Sequence, residues 1–345
     1  MCCRIGIDSG SFARAAASLE RIGQLQISDE LLRQIVESEG QTALAWQDQE
    51  QLELDFDAGA CTTDATADGS SVARVYVGID GFLLPMVTDA EVGKRYAEAQ
   101  ARRKQLRRRR GRRRRKLVRR RGADQRYKEF KLVVLYDQDQ RYKLMRVTRH
   151  GPQRAGQMLR MMGEDVRLYR AGQIVSVTDG APWIARVVDS CLPKGKTTAI
   201  LDFYHAAEHV HQARRVVWGE SSADGQAWAK QLIEGMLQGE FACWWEVLVQ
   251  TRARVRAAGK RRALDDLMGY LLPRQEKVAY ARFRSMGFQI GSGPTESGCK
   301  SQARRLKGVG MRWTPTHAEA LLALESLHQS NLWAIYWQAR TQTAA

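Results

Sequence analysis

The chain has 345 residues, 44% hydrophobic and 27% charged, a composition that excludes a wholly disordered or collagen-like protein. Its 55 Lys and Arg against 38 Asp and Glu give a formal charge of +17, so an anionic partner is expected, nucleic acid ahead of membrane. No apolar run approaches the ~18 residues of a membrane span, and six cysteines without a C-x-x-C pair suit free thiols in a reducing cytosol.

In chain order, residues 11–46 show helical spacing in two segments, Phe12, Ala16 and Leu19, then Leu31, Leu32, Ile35 and Val36. Ser28 is placed as the N-cap of the second, with Asp29 and Glu30 in its first turn. The pair is helix-turn-helix-like, a motif that binds DNA in some proteins and only packs in others. Small polar residues at 57–71 predict a linker and a domain boundary.

Three antiparallel strands are expected next, at 72–80, 130–137 and 142–148, the first ending at Asp80-Gly81. Between the first two lies an Arg-rich insertion, 102–121, with 15 Lys and Arg and no acid, which leaves +2 for the rest of the chain. Such a run is either a solvated charge stretch or a phosphate-binding segment. A helix from about 152 to 163, a strand at 174–179, a helix from Pro182 and a strand at 198–203 complete an order βββαβαβα. That order is the pattern of an RNase H-like α/β domain with a mixed sheet, in which the first and fourth strands are central neighbours. Residues 204–286, rich in Trp (218, 228, 244, 245), read as an all-α insertion; a Gly-rich break and helix follow at 287–312, and a C-terminal helix starts at Thr314-Pro315.

Asp80, Asp179 and Glu296 form a candidate set of catalytic, metal-holding carboxylates. Hard oxygen donors from two adjacent strand ends and a crossing helix suit two Mg²⁺ or Mn²⁺ ions acting on a phosphodiester. Each residue also has an ordinary reading, the two Asp-Gly pairs as turns and Glu296 as a first-turn helix acid. Lys300 and Arg304 follow Glu296 at i+4 and i+8, a face suited to a phosphate backbone or to solvent. A competing motif, His205-x-x-Glu208-His209, matches an inverted zinc-peptidase pattern with Glu276 as the nearest third ligand, although two partly buried helical histidines would read the same.

The strings VTDGAPWI (177–184), ILDFYHAAEHV (200–210) and IGSGPTESGCK (290–300), followed by GMRW (310–313), resemble insertion-sequence transposases of the ISKra group, distantly Mutator-like, over about 11–340. The resemblance implies Asp80, Asp179 and Glu296 as a DDE triad that cleaves element ends and transfers strands to target DNA with two Mg²⁺ or Mn²⁺ ions. It makes Asp202 and His205 the counterpart of a supporting Cys/Asp-x-x-His signature. It also implies double-stranded DNA as partner, a homo-oligomer on DNA, and a bacterial cytoplasmic, nucleoid-associated location. The Arg-rich segment is expected to contact DNA through Arg107, Arg108, Arg109, Arg110, Arg112, Arg113, Arg114 and Arg115, with Lys300 and Arg304 beside the triad. Members of the group often carry Cys-rich sequence upstream, whereas this sequence opens at Met1-Cys2-Cys3, which leaves open whether the start is truncated or misassigned. The alternatives are a DNA-binding repressor without catalysis, and the zinc peptidase.

Overall fold

A computed structural model describes the chain except for residues 50, 51, 53, 64–70, 88, 109–125, 309, 310, 344 and 345. Its centre is a sheet of β1 (Arg74–Met86), β2 (Arg126–Asp137), β3 (Lys143–Thr148), β4 (Gln173–Thr178) and β5 (Thr197–Leu201), in the order β3-β2-β1-β4-β5. β1, β2 and β3 pair antiparallel, and β4 and β5 run parallel to β1. This is the RNase H-like mixed sheet, with the first and fourth strands side by side at its centre.

Before the sheet come α1 (Cys2–Asp8), α2 (Phe12–Gly23) and α3 (Asp29–Gln47); α4 (Asp89–Arg108) follows β1. α5 (Pro152–Asp165) and α6 (Pro182–Cys191) flank β4 in sequence. The helices after β5 are α7 (Phe203–Trp218), α8 (Ala223–Gln238), α9 (Phe241–Arg254), α10 (Ala258–Leu271) and α11 (Tyr280–Ser285), with a 3-10 turn at Leu272–Lys277. The chain closes with α12 (Gly293–Arg304), α13 (Pro315–Gln329) and α14 (Trp333–Thr343).

Strand alternation sorts the sheet into two covered faces. Arg146 and Lys131 point to one, where they meet Asp165 of α5 and the ring of Trp183 on α6. Gly78, Leu132 and Met145 point to the other, under α12. α13 lies beside α12 and is backed by α3, where Gly40 sits against the Ala320 backbone and Gln47 donates to the Ala323 carbonyl. Arg305 ties the ends of the chain together, donating to the Gly6 carbonyl and lying over Phe12 and Trp313.

Four expectations change. β1 does not end at Asp80: β2 begins at Arg126, and antiparallel pairing carries β1 on to Met86. Helical structure, α4, occupies the start of the Arg-rich insertion. The 57–71 stretch is not wholly a free linker, because Ala58 and Cys61 are buried and Asp57 pairs with Arg167 and Arg170. The C-terminal region holds two helices. Ser28 does cap α3, accepting from the Leu31 amide at 3.1 Å, but the buried side of α3 is spent on α13 and its exposed positions include Asp29, Glu30, Leu31, Gln34 and Ile35. On that edge Arg33 is held by Glu30 and Glu37, whereas Arg14 and Arg21 are exposed on α2.

Candidate active site

Parallel pairing of β1 with β4 ends at Val77 opposite Ser176. Continuing that register brings Asp80 level with Asp179, both on the face shared with Gly78. β1 runs on past the carboxyl end of β4, so Asp80 stands inside a strand while Asp179 sits on the turn just beyond one. The Asp-Gly turn reading therefore fails at Asp80 and holds at Asp179. Gly180 has φ +78°, and Asp179 accepts the Ala181 amide at 2.9 Å.

α12 lies close on this face because Gly78 has no side chain. A Cβ there would fall 1.8 Å from Thr295 Oγ1. One turn further along α12, Cys299 is buried over Asp80, and its thiol donates to Asp80 Oδ2 at 3.4 Å. Glu296 leaves the same helix half-exposed and pairs with Lys300 at 3.5 Å. Burial pushes the Asp80 carboxyl above its ordinary range; the Gly81 amide and Cys299 thiol pull it back, and the charges of Asp179 and Glu296 push it up again. The three carboxylates thus share one electrostatic environment, although no three His, Cys, Asp or Glu among the described residues are gathered closely enough to hold one ion.

Asp202 is 1% exposed and follows β5 directly. One carboxylate oxygen caps α7, accepting from the His205 amide at 2.7 Å, and the other accepts from the amide of Ser292, the N-cap residue of α12. A single side chain therefore fixes two helix starts, one of them the helix that carries Glu296. It is the His205 backbone that Asp202 holds. The His205 ring packs edge to face on His209, which stacks on Tyr270 at 4.0 Å. Burial and the neighbouring His205 lower the His209 pKa, which favours its neutral form. Glu276 is exposed on the 3-10 turn, and among the described residues the two histidines meet Tyr270 in an aromatic stack and join no group of three His, Cys, Asp or Glu.

That stack leads to residues the sequence did not single out. The Tyr270 hydroxyl donates to the Asp179 carbonyl at 3.0 Å, and Arg274 donates to the Gly180 carbonyl at 3.0 Å while its guanidinium lies over the Tyr270 ring. The helical segment thus clamps the Asp179-Gly180 turn through backbone atoms, a role that leaves no motif because any aromatic hydroxyl and cation so placed could fill it. The return from α11 to α12 is pinned as well. Buried Arg74 donates to the Met286 and Gly287 carbonyls, and the Tyr76 hydroxyl accepts from the Gln289 amide.

Of the DNA-contact residues expected, Lys300 and Arg304 are exposed on α12 on the Glu296 side. Arg107 and Arg108 fall in the last turn of α4, and Arg109, Arg110 and Arg112 to Arg115 lie outside the described residues. No described helix is long and apolar enough to cross a membrane.

No family model matches the chain, and no curated protein matches it in sequence. Among solved structures it is similar to the Drosophila P element transposase strand transfer complex, with a TM-score of 0.39 and 11% identity over 94% of this chain and 90% of that one.

Proposed function

We propose that the chain is a DNA transposase of an insertion sequence, in which Asp80, Asp179 and Glu296 hold two Mg²⁺ or Mn²⁺ ions for cleavage of element ends and strand transfer. The observation that carries the reading is that the β1–β4 register, continued three residues, brings Asp80 level with Asp179 just past the end of β4, and that the charges of Asp179 and Glu296 are both felt at Asp80. The donor set fits such ions: all three groups are hard oxygens, and their mutual repulsion is an excess of negative charge that a divalent cation neutralises. When bound, the ions would activate the attacking water or 3′-hydroxyl and stabilise the leaving oxygen. The protein's own part is placement. Asp202 sets the start of α12, Gly78 sets its height over the sheet, and Tyr270 with Arg274 fixes the turn that bears Asp179.

The three motif strings around Asp179, Asp202 and Glu296 support the ISKra-like assignment within this class. Lys300, Arg304 and the Arg-rich segment would hold phosphates of double-stranded DNA, and joining two ends calls for at least two protomers. The test is nicking and joining of a plasmid carrying the element, in Mg²⁺ and in Mn²⁺. Wild type should cut, and Asp80→Asn, Asp179→Asn and Glu296→Gln should each abolish cutting while duplex binding persists. Cutting by Glu296→Gln would refute the triad, and binding without cutting by the wild type would make the protein a non-catalytic DNA binder. Replacing Arg107 to Arg115 by neutral residues should flatten the salt dependence of binding.

A further inference from the structure

A second basic segment lies far from the first in sequence, at 251–262, where Arg252, Arg254, Arg256, Lys260, Arg261 and Arg262 occur without an acid. The end of α9, the connection and the start of α10 bring Arg254, Arg256 and Lys260 around an open groove of about 560 Å³ that Trp218 and Trp228 also wall, and Arg261 joins Arg254 and Arg256 on its flank. Arg252 is neutralised by Asp265, which it grips with two nitrogens at 2.7 and 3.1 Å. Arg254, Arg256, Lys260, Arg261 and Arg262 are exposed and form no ion pair among the described residues.

Their placement runs against local preference. Cations at a helix C-terminus are favoured, as Arg252 and Arg254 are on α9, but Lys260, Arg261 and Arg262 crowd the start of α10, where the helix dipole is positive. The first turn of α10 holds no acid, and its N-cap is Ala257, without a side-chain cap. Like charges gathered where the backbone is also positive repel one another, and the nearby carboxylate of Asp265, already gripped by Arg252, offsets only part of that charge. An extended polyanion would offset the rest.

We infer that this surface, centred on Arg254, Arg256, Lys260 and Arg261, is a docking site for the phosphate backbone of duplex DNA, supplied by a stretch of sequence other than the Arg-rich insertion. The inference rests on the DNA reading above and extends it through α10. This helix starts in the basic surface and ends at Tyr270, whose hydroxyl holds the Asp179 turn. At about 1.5 Å per residue its 14 residues span roughly 20 Å. Duplex DNA advances about 3.4 Å per base pair, so a duplex following α10 would cover roughly six base pairs over that length.

The test is the salt dependence of binding to a duplex of roughly 30 base pairs, followed by fluorescence anisotropy between about 50 and 200 mM salt. Arg254→Gln, Arg256→Gln, Lys260→Gln and Arg261→Gln combined, with residues 102–121 intact, should make the slope of log affinity against log salt shallower by about 2–4, near 0.9 for each phosphate that is no longer neutralised. All four positions are exposed, so the fold is retained, and a combined Arg→Lys variant at 254, 256 and 261 should keep the wild-type slope. Binding by wild type with an unchanged slope in the Gln variant overturns this inference and leaves the DNA reading standing. A wild type that does not bind duplex overturns both. A loss of affinity confined to single-stranded RNA would refute the duplex as partner.

Discussion

Asp202 offers the most direct test of how the site is built, because one buried carboxylate serves two helix starts. In Asp202→Ala, the cap of α7 is lost, at about 1 kcal/mol. The Ser292 amide is also left buried without a partner, at about 1–3 kcal/mol, for a total of about 2–4 kcal/mol. Asp202→Asn separates the two terms. Asparagine caps helices about as well as aspartate, but its amide offers an acceptor on one side and a donor on the other. It can therefore satisfy His205 or Ser292 and not both, and its cost should be about 1–3 kcal/mol. The assay is urea unfolding followed by tryptophan fluorescence, together with hydrogen exchange at the two amides. The Ser292 amide of Asp202→Ala should lose protection while amides of β1 and β2 keep theirs. Metal-dependent cleavage should fall further than stability does, since the start of the helix bearing Glu296 is released. An Asp202→Asn protein with wild-type stability and both amides protected would refute the bridging role.

Asp80→Asn should stabilise the metal-free protein at neutral pH, because burial and the neighbouring carboxylates raise the Asp80 pKa in the folded state. A raised carboxyl pKa means that the folded form binds the proton more tightly, so stability falls as pH rises from the ordinary carboxylate range through the folded value, and the gain from Asn should vanish at low pH in thermal melts. Tyr270→Phe keeps the stack on His209 and removes the bond to the Asp179 carbonyl; it should cost about 1 kcal/mol and reduce cleavage, with a weaker Mn²⁺ affinity by calorimetry as the independent readout. Wild-type Mn²⁺ affinity would refute the clamp. Gly78→Ala should destabilise by about 1–3 kcal/mol through overpacking against Thr295, and Thr295→Ala should partly restore stability in the double variant; simple additivity would refute the contact.

What the sequence disclosed is what period and chemistry encode locally. The β-rich runs at 130–137 and 142–148 and the caps Ser28 and Thr314 mark elements found in the structure, and the element order βββαβαβα pointed to the neighbouring first and fourth strands. The end of β1 was illegible because Asp80-Gly81 has turn composition, and only pairing with β2 decides that the strand continues. Levelling of Asp80 with Asp179 is a property of register between strands about a hundred residues apart, which no local pattern carries. Tyr270 and Arg274 act through hydrogen bonds to carbonyls, and a backbone acceptor leaves no mark on the side chain it belongs to. In the H-x-x-E-H string, helical spacing put two histidines on one face, and the residue that stacks on that face is a tyrosine from a helix about sixty residues on, which the string does not announce.

The net charge of +17 also divides differently once the fold is known. The Arg-rich insertion accounts for 15 cations and the 251–262 segment for six, so the remaining chain carries −4 rather than a small surplus. A slightly acidic body with two basic segments is not a uniformly sticky surface, and at physiological salt charges more than about 8 Å apart act independently. On the DNA reading proposed above, each segment would find its own phosphates. One is inserted between β1 and β2, and the other sits on the α9–α10 corner at the opposite end of a helix from the Asp179 clamp. DNA gripped at both would be fixed in direction as well as in affinity. Neutralising both segments together should therefore lower non-specific affinity by the sum of the separate losses, whereas a single shared binding patch would give less than the sum, which affinities of the single and combined variants at one salt concentration decide.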